Sequence, residues 1–435
     1  MPKPLAALPV LLISSFLVFS SCGDDLFLRL ATELSEIVTI DLSKPMLDAR
    51  GNKVTSVQLV PGTAAILRYI ETDHVVPATV SNNIRAGKSV RLGGYFFGGW
   101  ADGRHLSSKQ LEWIARTFDV LTLNNYYVLS ENNLNGGITP DQVLWLKKQN
   151  PQLKYYSMLF ATTLREPLFD PARMSDWVIR NKNGKEALGV RRGHDLDANH
   201  LMDLGNKDYA HFFRDYMIEH AKQYHADGVA IDEIMWNGYW GVDMADVKNY
   251  TSVEQIRQTC YDWLKIVKTD NPKEVIHQAF WPEAQAETDG VWGEASFFSW
   301  MRNGYRYEVF YEKMDYSEIL TNLSAYGQKN KTYIWAAAYD ASDFRDLEYS
   351  IATYLLGKNG NYVVFQPHPV YDGGYPHNLS GYDISTCIKD FEKNTALFDI
   401  ELGEPLGEFY TKKIHGKKIW VRKFTGGIVF SNANR

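Results

Sequence analysis

Asp227-Gly228-Val229-Ala230-Ile231-Asp232-Glu233 reads as a short strand that ends in acid. Side chains alternate along a strand, so Gly228, Ala230 and Asp232 share one face, and Val229, Ile231 and Glu233 share the other. The β-branched pair suits a face covered by helices. The small residues suit the crowded inside of a barrel. An amphipathic helix is expected before this strand, from Lys207 to His225, and another after it, from Ser252 to Lys268. Helix, strand, helix is the repeating unit of a parallel sheet.

The same unit recurs on both sides. Strands are expected at Val90–Phe97, Asp119–Leu123, Leu153–Phe160, Asp227–Ile234, Glu274–Phe280, Gly290–Phe297, Lys331–Tyr339 and Gly360–Gln366. Further helices are expected at Ser107–Phe118, Thr139–Gln149, Tyr305–Gln328, Asp346–Gly357 and Asp383–Leu397. Thr139-Pro140 supplies a cap and then a proline in the first turn. Eight strands in this order predict an α/β fold, a closed (β/α)8 TIM barrel, over residues 88–400. No Gly-x-Gly-x-x-Gly follows the first strand, so an open nucleotide-binding sheet is not supported. A β-hairpin within the long insertion after strand three is expected to turn at Lys182-Asn183-Gly184-Lys185.

The two ends of the chain read differently. Residues 37–75 and 401–435 alternate as β segments, with turns at Asp48-Ala49-Arg50-Gly51-Asn52, His415-Gly416 and Thr425-Gly426-Gly427. Three C-terminal strands alone make a poor domain. Ile37–Tyr69 and Leu406–Phe430 are therefore expected to pair into one discontinuous β-sandwich. Met1–Ser21 has the apolar run of a secretory signal, and Phe19-Ser20-Ser21-Cys22 is similar to a lipobox. This predicts residues 1–22 as a lipoprotein signal peptide, Cys22 as the lipidated residue, 23–36 as a linker, and export to a bacterial cell envelope. Contact with membrane is then expected only through that anchor.

With 435 residues, a barrel of roughly 250–300 residues leaves room for such a module. The net charge of −6, without a Lys/Arg cluster, argues against nucleic acid. Twelve Trp and 26 Tyr supply aromatic faces of the kind that sugar clefts use. Cys22, Cys260 and Cys387 form no metal-binding spacing. Neither a metal nor a cofactor is expected. A Cys260–Cys387 disulfide is one alternative to two buried thiols.

Barrel active sites form where the strands end. Asp232 ends strand four, and Glu294 ends strand six in Gly290-Val291-Trp292-Gly293-Glu294. Two carboxylates on either side of a sugar are what glycoside hydrolysis requires. Asp232 is read as nucleophile or base and Glu294 as the acid, beside a desolvating Trp292; the roles are interchangeable at this stage. Glu283 and Glu233 compete for the second role. Tyr95, Trp100, Asn124, Asp203, Glu233, His277, Trp281, Asp340 and Gln366 are candidate sugar ligands, and His368 lies close by. Asp203 is also a candidate cap for the helix that follows it, and Asp340 a candidate N-cap.

Leu201-Met202-Asp203-Leu204-Gly205-Asn206 followed by Asp227–Glu233 resembles the middle of barrel proteins of the glycosyl-hydrolase-like families. Val421-Arg422-Lys423-Phe424 with Gly427–Asn432 resembles the opening of their C-terminal β-domain, and Leu47–Gly62 its closing strands. Here the closing strands come first, as in a circular permutation. The resemblance implies a glycosidase acting on extracellular poly- or oligosaccharide, with Asp232 and Glu294 in the two carboxylate positions. A non-catalytic carbohydrate-binding surface lipoprotein is the alternative reading, and a structural surface protein the third.

Overall fold

The computed structural model describes residues 37–70, 87–97, 106–124, 138–164, 170–186, 200–232, 234, 247–278, 287–298, 315–328, 331–341, 343–360, 362–370 and 384–433. The signal peptide, the linker, Cys22, Trp100, Glu233, Trp281 and Glu283 lie outside them, as do the side chains of Tyr95, Asn124, Glu294 and Cys387.

Three strands open the chain: β1 (Val38–Leu47), β2 (Lys53–Leu59) and β3 (Thr63–Tyr69). The barrel follows as β4 (Gly93–Phe97), α1 (Ser108–Thr117), β5 (Val120–Asn124), α2 (Pro140–Gln149) and β6 (Lys154–Phe160). An insertion carries β7 (Thr163–Leu164), the short α3 (Pro171–Met174) and β8 (His200–Leu201). The barrel resumes with α4 (Lys207–Gln223), β9 (Gly228–Asp232), α5 (Val253–Lys268), β10 (Glu274–Gln278) and β11 (Gly290–Phe298). It ends with α6 (Tyr316–Gln328), β12 (Thr332–Asp340), α7 (Phe344–Gly357), β13 (Val363–Val370), α8 (Ile384–Lys393) and α9 (Thr395–Phe398). Strands β14 (Tyr410–Ile414), β15 (Lys417–Phe424) and β16 (Gly427–Asn432) close the chain.

The eight central strands are parallel and run in the order β13-β12-β11-β10-β9-β6-β5-β4. A parallel bridge from Leu92 to Phe365, with the Phe365 N–H donating to the Arg91 carbonyl at 2.8 Å, joins the two outer strands. The sheet is thus a closed (β/α)8 barrel, as the periodicity predicts. Its stagger can be counted. From Ala230, the register partners Ile276, Gly290 and Thr332 lead to Tyr362, just before β13. The other route, through Met158, Asn124 and Phe97, leads to Val370. The offset from 362 to 370 is the shear of eight residues typical of this fold.

Local sequence explains the helix starts. Ser107 with Gln110, and Thr139 with Gln142, form capping boxes, each pair satisfying two otherwise unpaired backbone donors. Asn206, Ser252 and Asp343 cap α4, α5 and α7. In the insertion, Asn181 N–H and the Lys185 carbonyl close the expected turn at 2.8 Å, with Gly184 at φ 76°.

The chain ends meet in one antiparallel sheet, β14-β15-β16-β3-β1-β2, in which β16 pairs with β3 from Gly427↔Arg68 to Asn432↔Thr63. The hairpin β1–β2 joins this sheet only through Met46 and Leu47, beyond a register shift after Asp41. Val38, Ile40, Leu59, Leu67, Ile419, Val421 and Phe430 then pack together as a core of their own. The module closes like a sandwich although its hydrogen bonds run through six strands. Its other face, with Ile66, Trp420, Phe424 and Val429, joins the barrel's outer core. Helix α7 is buried between the two. Among the described residues no helix is long and apolar enough to cross a membrane.

Candidate active site

The barrel interior is built by alternation. Val120, Tyr156, Met158, Ala230, Ile276, Trp292, Ile334 and Val364 pack together inside it. Their neighbours in sequence, among them Leu121, Tyr155, Val229, Val275, Val291, Trp335 and Phe365, belong to the core beneath the helices. The lower end is closed by Tyr156, whose hydroxyl donates to Glu274, while Lys154 pairs with the same carboxylate at 2.7 Å. Burial, then the negative Glu274, push the Tyr156 phenol well above its usual pKa, so it stays a donor.

Asp232 follows Ala230 by two residues and so faces the interior, at the end of β9. It is 6% exposed. Shear sets which residues share its level. Strands four and eight lie opposite, so a residue on β9 is level with the position midway between its two register end points. For Ala230 that is Gln366; for Asp232 it is His368. With one residue of shear per strand, the lower layer holds Thr122, Ala230, Trp292 and Gln366. The layer above takes positions 124, 232, 294 and 368, all from even-numbered barrel strands. Of these, the described side chains are Asp232 and His368. The register of β11 shifts between Gly293 and Phe297, beginning at Glu294.

The eighth strand carries a polar pair into the interior. Gln366 is 1% and His368 3% exposed, and the Gln366 amide Nε2 lies 2.5 Å from His368 Nε2. On β10, Gln278 takes the interior face above Ile276 and is half-buried.

One expected sugar ligand faces away from the interior, and two others have structural partners. His277 alternates with Ile276 and therefore faces outward, fully buried under the helices. Its Nδ1 lies 2.7 Å from Thr288 Oγ1, which itself donates to the Gly290 carbonyl at 3.0 Å. His277 must then donate from Nδ1. Burial and the nearby Lys331 lower its pKa to about 3, so it is a neutral structural residue. Asp203 does not cap α4, since Asn206 is the cap. Its carboxylate accepts from Gly205 N–H at 2.9 Å, from Asn249 Nδ2 at 2.6 Å and from the Tyr250 hydroxyl, which ties the insertion to the loop before α5. Asp340 ends β12, and its N–H donates to Asp346 at 3.1 Å; the cap of α7 is Asp343. Cys260 is a free, buried thiol, so the disulfide alternative is not realised.

Reading the sequence missed Thr122. Only its place in the alternation, two residues after interior Val120, marks it. No cluster of His, Cys, Asp and Glu able to hold a metal occurs among the described residues.

No family model and no curated protein sequence matches the chain. Solved structures that resemble it include glycoside hydrolases. The glycoside hydrolase domain of PelA from Pseudomonas aeruginosa is 12% identical, over 63% of this chain and 98% of that one, with a TM-score of 0.37. The GH31 dextranase FjDex31A of Flavobacterium johnsoniae, complexed with glucose, is 12% identical, over 79% of this chain and 52% of that one, at 0.45. The alpha-amylase GTA of Geobacillus thermoleovorans, complexed with acarbose, is 12% identical, over 78% of this chain and 85% of that one, at 0.41.

Proposed function

We propose that this chain is a glycoside hydrolase that cleaves extracellular poly- or oligosaccharide with two carboxylates, Asp232 and Glu294. The observation that carries the reading is Asp232 itself. It is a buried carboxyl group, pointing inward at the carboxyl end of a barrel strand and across from a polar pair. A carboxylate withdrawn from water at that end, where barrel enzymes do their chemistry, suits stabilisation of the positive charge that grows at a sugar's anomeric carbon. In this reading Asp232 acts ionised, as nucleophile or as base for water. Glu294, two strands away, then delivers the proton to the leaving oxygen. Cys22 would hold the enzyme at the cell envelope by a lipid.

The test is release of reducing sugar from a panel of α- and β-linked glycans by the full-length protein. At least one glycan is expected to be cleaved, and Glu294→Gln should slow that cleavage at least a hundredfold. Absence of cleavage across the panel would sink the proposal. Full activity of the Glu294 variant would remove that residue from it.

A further inference from the structure

The two parts of the molecule carry charge of opposite sign. Residues 37–70 and 401–435, which form the β-module, hold eleven Lys and Arg against five Asp and Glu, and the rest of the chain holds 35 against 47. The net charge of −6 conceals that division. An asymmetry of this kind points to a charged partner met through one part of the surface.

The positive charge is densest at one hairpin. Lys412 and Lys413 lie on β14, Lys417 and Lys418 on β15, either side of the turn at His415-Gly416. Lys412, Lys413 and Lys418 are exposed, and Lys417 is half-buried. The register sets Lys413 directly opposite Lys418. Like charges across a ladder repel, so the arrangement costs stability that a neutral residue would not. Lysine on an outer strand does guard against edge-to-edge pairing, and β14 is an outer strand. A guard requires neither a facing pair of lysines nor lysines on both faces of the hairpin. Four lysines also fall short of the stripe that a nucleic-acid binder carries.

The hairpin is held in place from both sides. Lys418 Nζ lies 4.7 Å from the centre of the Trp420 ring and donates to Ser317 Oγ at 3.3 Å, at the start of α6. On the other face Ile414 and Ile419 pack with Val38 and Ile40. Val38 opens the module, sixteen residues after Cys22. A fully extended chain of that length spans roughly 55 Å. A lipid on Cys22 would therefore keep these lysines in the neighbourhood of the bilayer.

We propose that the β14–β15 hairpin docks on an anionic phospholipid bilayer, with Lys412, Lys413, Lys417 and Lys418 against the headgroup phosphates. This rests on the reading of Cys22 as a lipid anchor and adds a second contact to it. Membrane attachment is stable when two weak signals combine, such as a lipid chain and a basic patch. An ammonium group is a compact charge on a flexible stem, suited to a fluid layer of phosphates.

The experiment sediments the full-length protein with vesicles of phosphatidylcholine alone and with vesicles that are about one-third phosphatidylglycerol. Any lipid or apolar segment near the N-terminus serves both kinds of vesicle alike. Partition is expected to be at least roughly tenfold stronger on the anionic vesicles in about 0.1 M salt, and the preference to shrink in about 0.5 M salt. Lys412→Gln, Lys413→Gln, Lys417→Gln and Lys418→Gln combined should abolish the preference and leave binding to phosphatidylcholine unchanged. Lys412→Gln with Lys413→Gln, on the outer strand alone, should remove part of it, with a thermal midpoint no lower than the parent's. Equal partition of the parent onto both vesicles overturns the docking surface. A preference that survives the four replacements does so too, and self-association of that variant would then mark the lysines as an edge guard. Retention on soluble polygalacturonate without a preference for anionic vesicles would assign the patch to an acidic glycan and also overturns it. The two readings fail separately. Mass spectrometry that finds Cys22 without a lipid removes the anchor, whatever the vesicles show. An acylated protein without the preference removes only the docking surface.

Discussion

Asp232 and His368 stand at one level on opposite walls of the barrel, on its fourth and eighth strands. Both point inward and both are buried. The relationship follows from strand register alone, because a shear of eight residues brings half a turn of the barrel to a four-residue offset. It sets a carboxyl group against an imidazole whose Nε2 is engaged by Gln366. The mouth is therefore polar on both sides of its axis.

His277 tests whether outward-facing polar residues belong to the wall rather than the site. Its replacement by Ala should cost about 2–4 kcal/mol in urea unfolding at neutral pH, from lost packing and the lost hydrogen bond to Thr288. The KM of any glycan found to be cleaved should not change. A pH effect is expected too. The folded-state pKa is lowered to about 3 from 6.5, so the unfolded chain takes up the proton first. Stability from this residue is complete above about pH 6.5 and declines as pH falls toward 3.

Glu348 should give the opposite slope. It sits on α7 and accepts from Ile66 N–H at 3.1 Å, linking barrel to β-module. Burial, opposed by that hydrogen bond, raises its pKa to about 7 from 4.5. Between these values the unfolded chain is ionised while the folded one is not. Its contribution is therefore complete below pH 4.5 and is lost as pH rises through 7, by at most about 3 kcal/mol. Glu348→Gln keeps the acceptor and removes the charge. Its advantage over the parent in urea unfolding should grow from pH 4.5 to 7 and then level off.

Arg422 joins the two modules. It comes from β15, is 4% exposed, and donates from Nη1 to the Leu355 and Leu356 carbonyls at 3.0 Å, at the C-terminal end of α7. Nε donates to the Gly407 carbonyl at 3.0 Å. Helix carbonyls at that end are otherwise unpaired and carry partial negative charge. Arg422→Met should cost about 2–4 kcal/mol. Lys should recover only a small part, because it lacks the fork. Chemical unfolding of the three proteins measures both effects.

Gly228 and Gly290 begin the fourth and sixth barrel strands. A Cβ on them would lie 2.3 Å from the Glu274 carbonyl oxygen and 2.2 Å from that of Thr332. Both obstacles are backbone of the neighbouring strand, held by the ladder. Alanine at either place should cost about 3 kcal/mol or more, read as a lowered thermal midpoint or loss of soluble protein.

The barrel was legible because every strand it needs announces itself locally, through an apolar or alternating run flanked by a capped helix. The inward aspect of Asp232 was legible for the same reason, since Val229 and Ile231 could only face helices. The union of both chain ends was inferred from three strands too few to stand alone. His277 was misjudged because a run of five residues does not show which of two alternating faces is inside when both are apolar. The cap role read for Asp203 was misjudged because its partners, Asn249 and Tyr250, lie beyond the following helix and strand. Thr122 carries no motif at all. Its inward place appears only when register and shear assemble a layer from strands distant in sequence.

The central claim is that Asp232 performs chemistry rather than holding structure, and one comparison decides it. The rate of cleavage of the best glycan in the panel is measured for the parent and for Asp232→Asn, alongside the thermal midpoint of each. A fall in kcat of about a thousandfold or more, with an unchanged or higher midpoint, is the predicted result. Cleavage at the parental rate by the Asn protein would contradict the account.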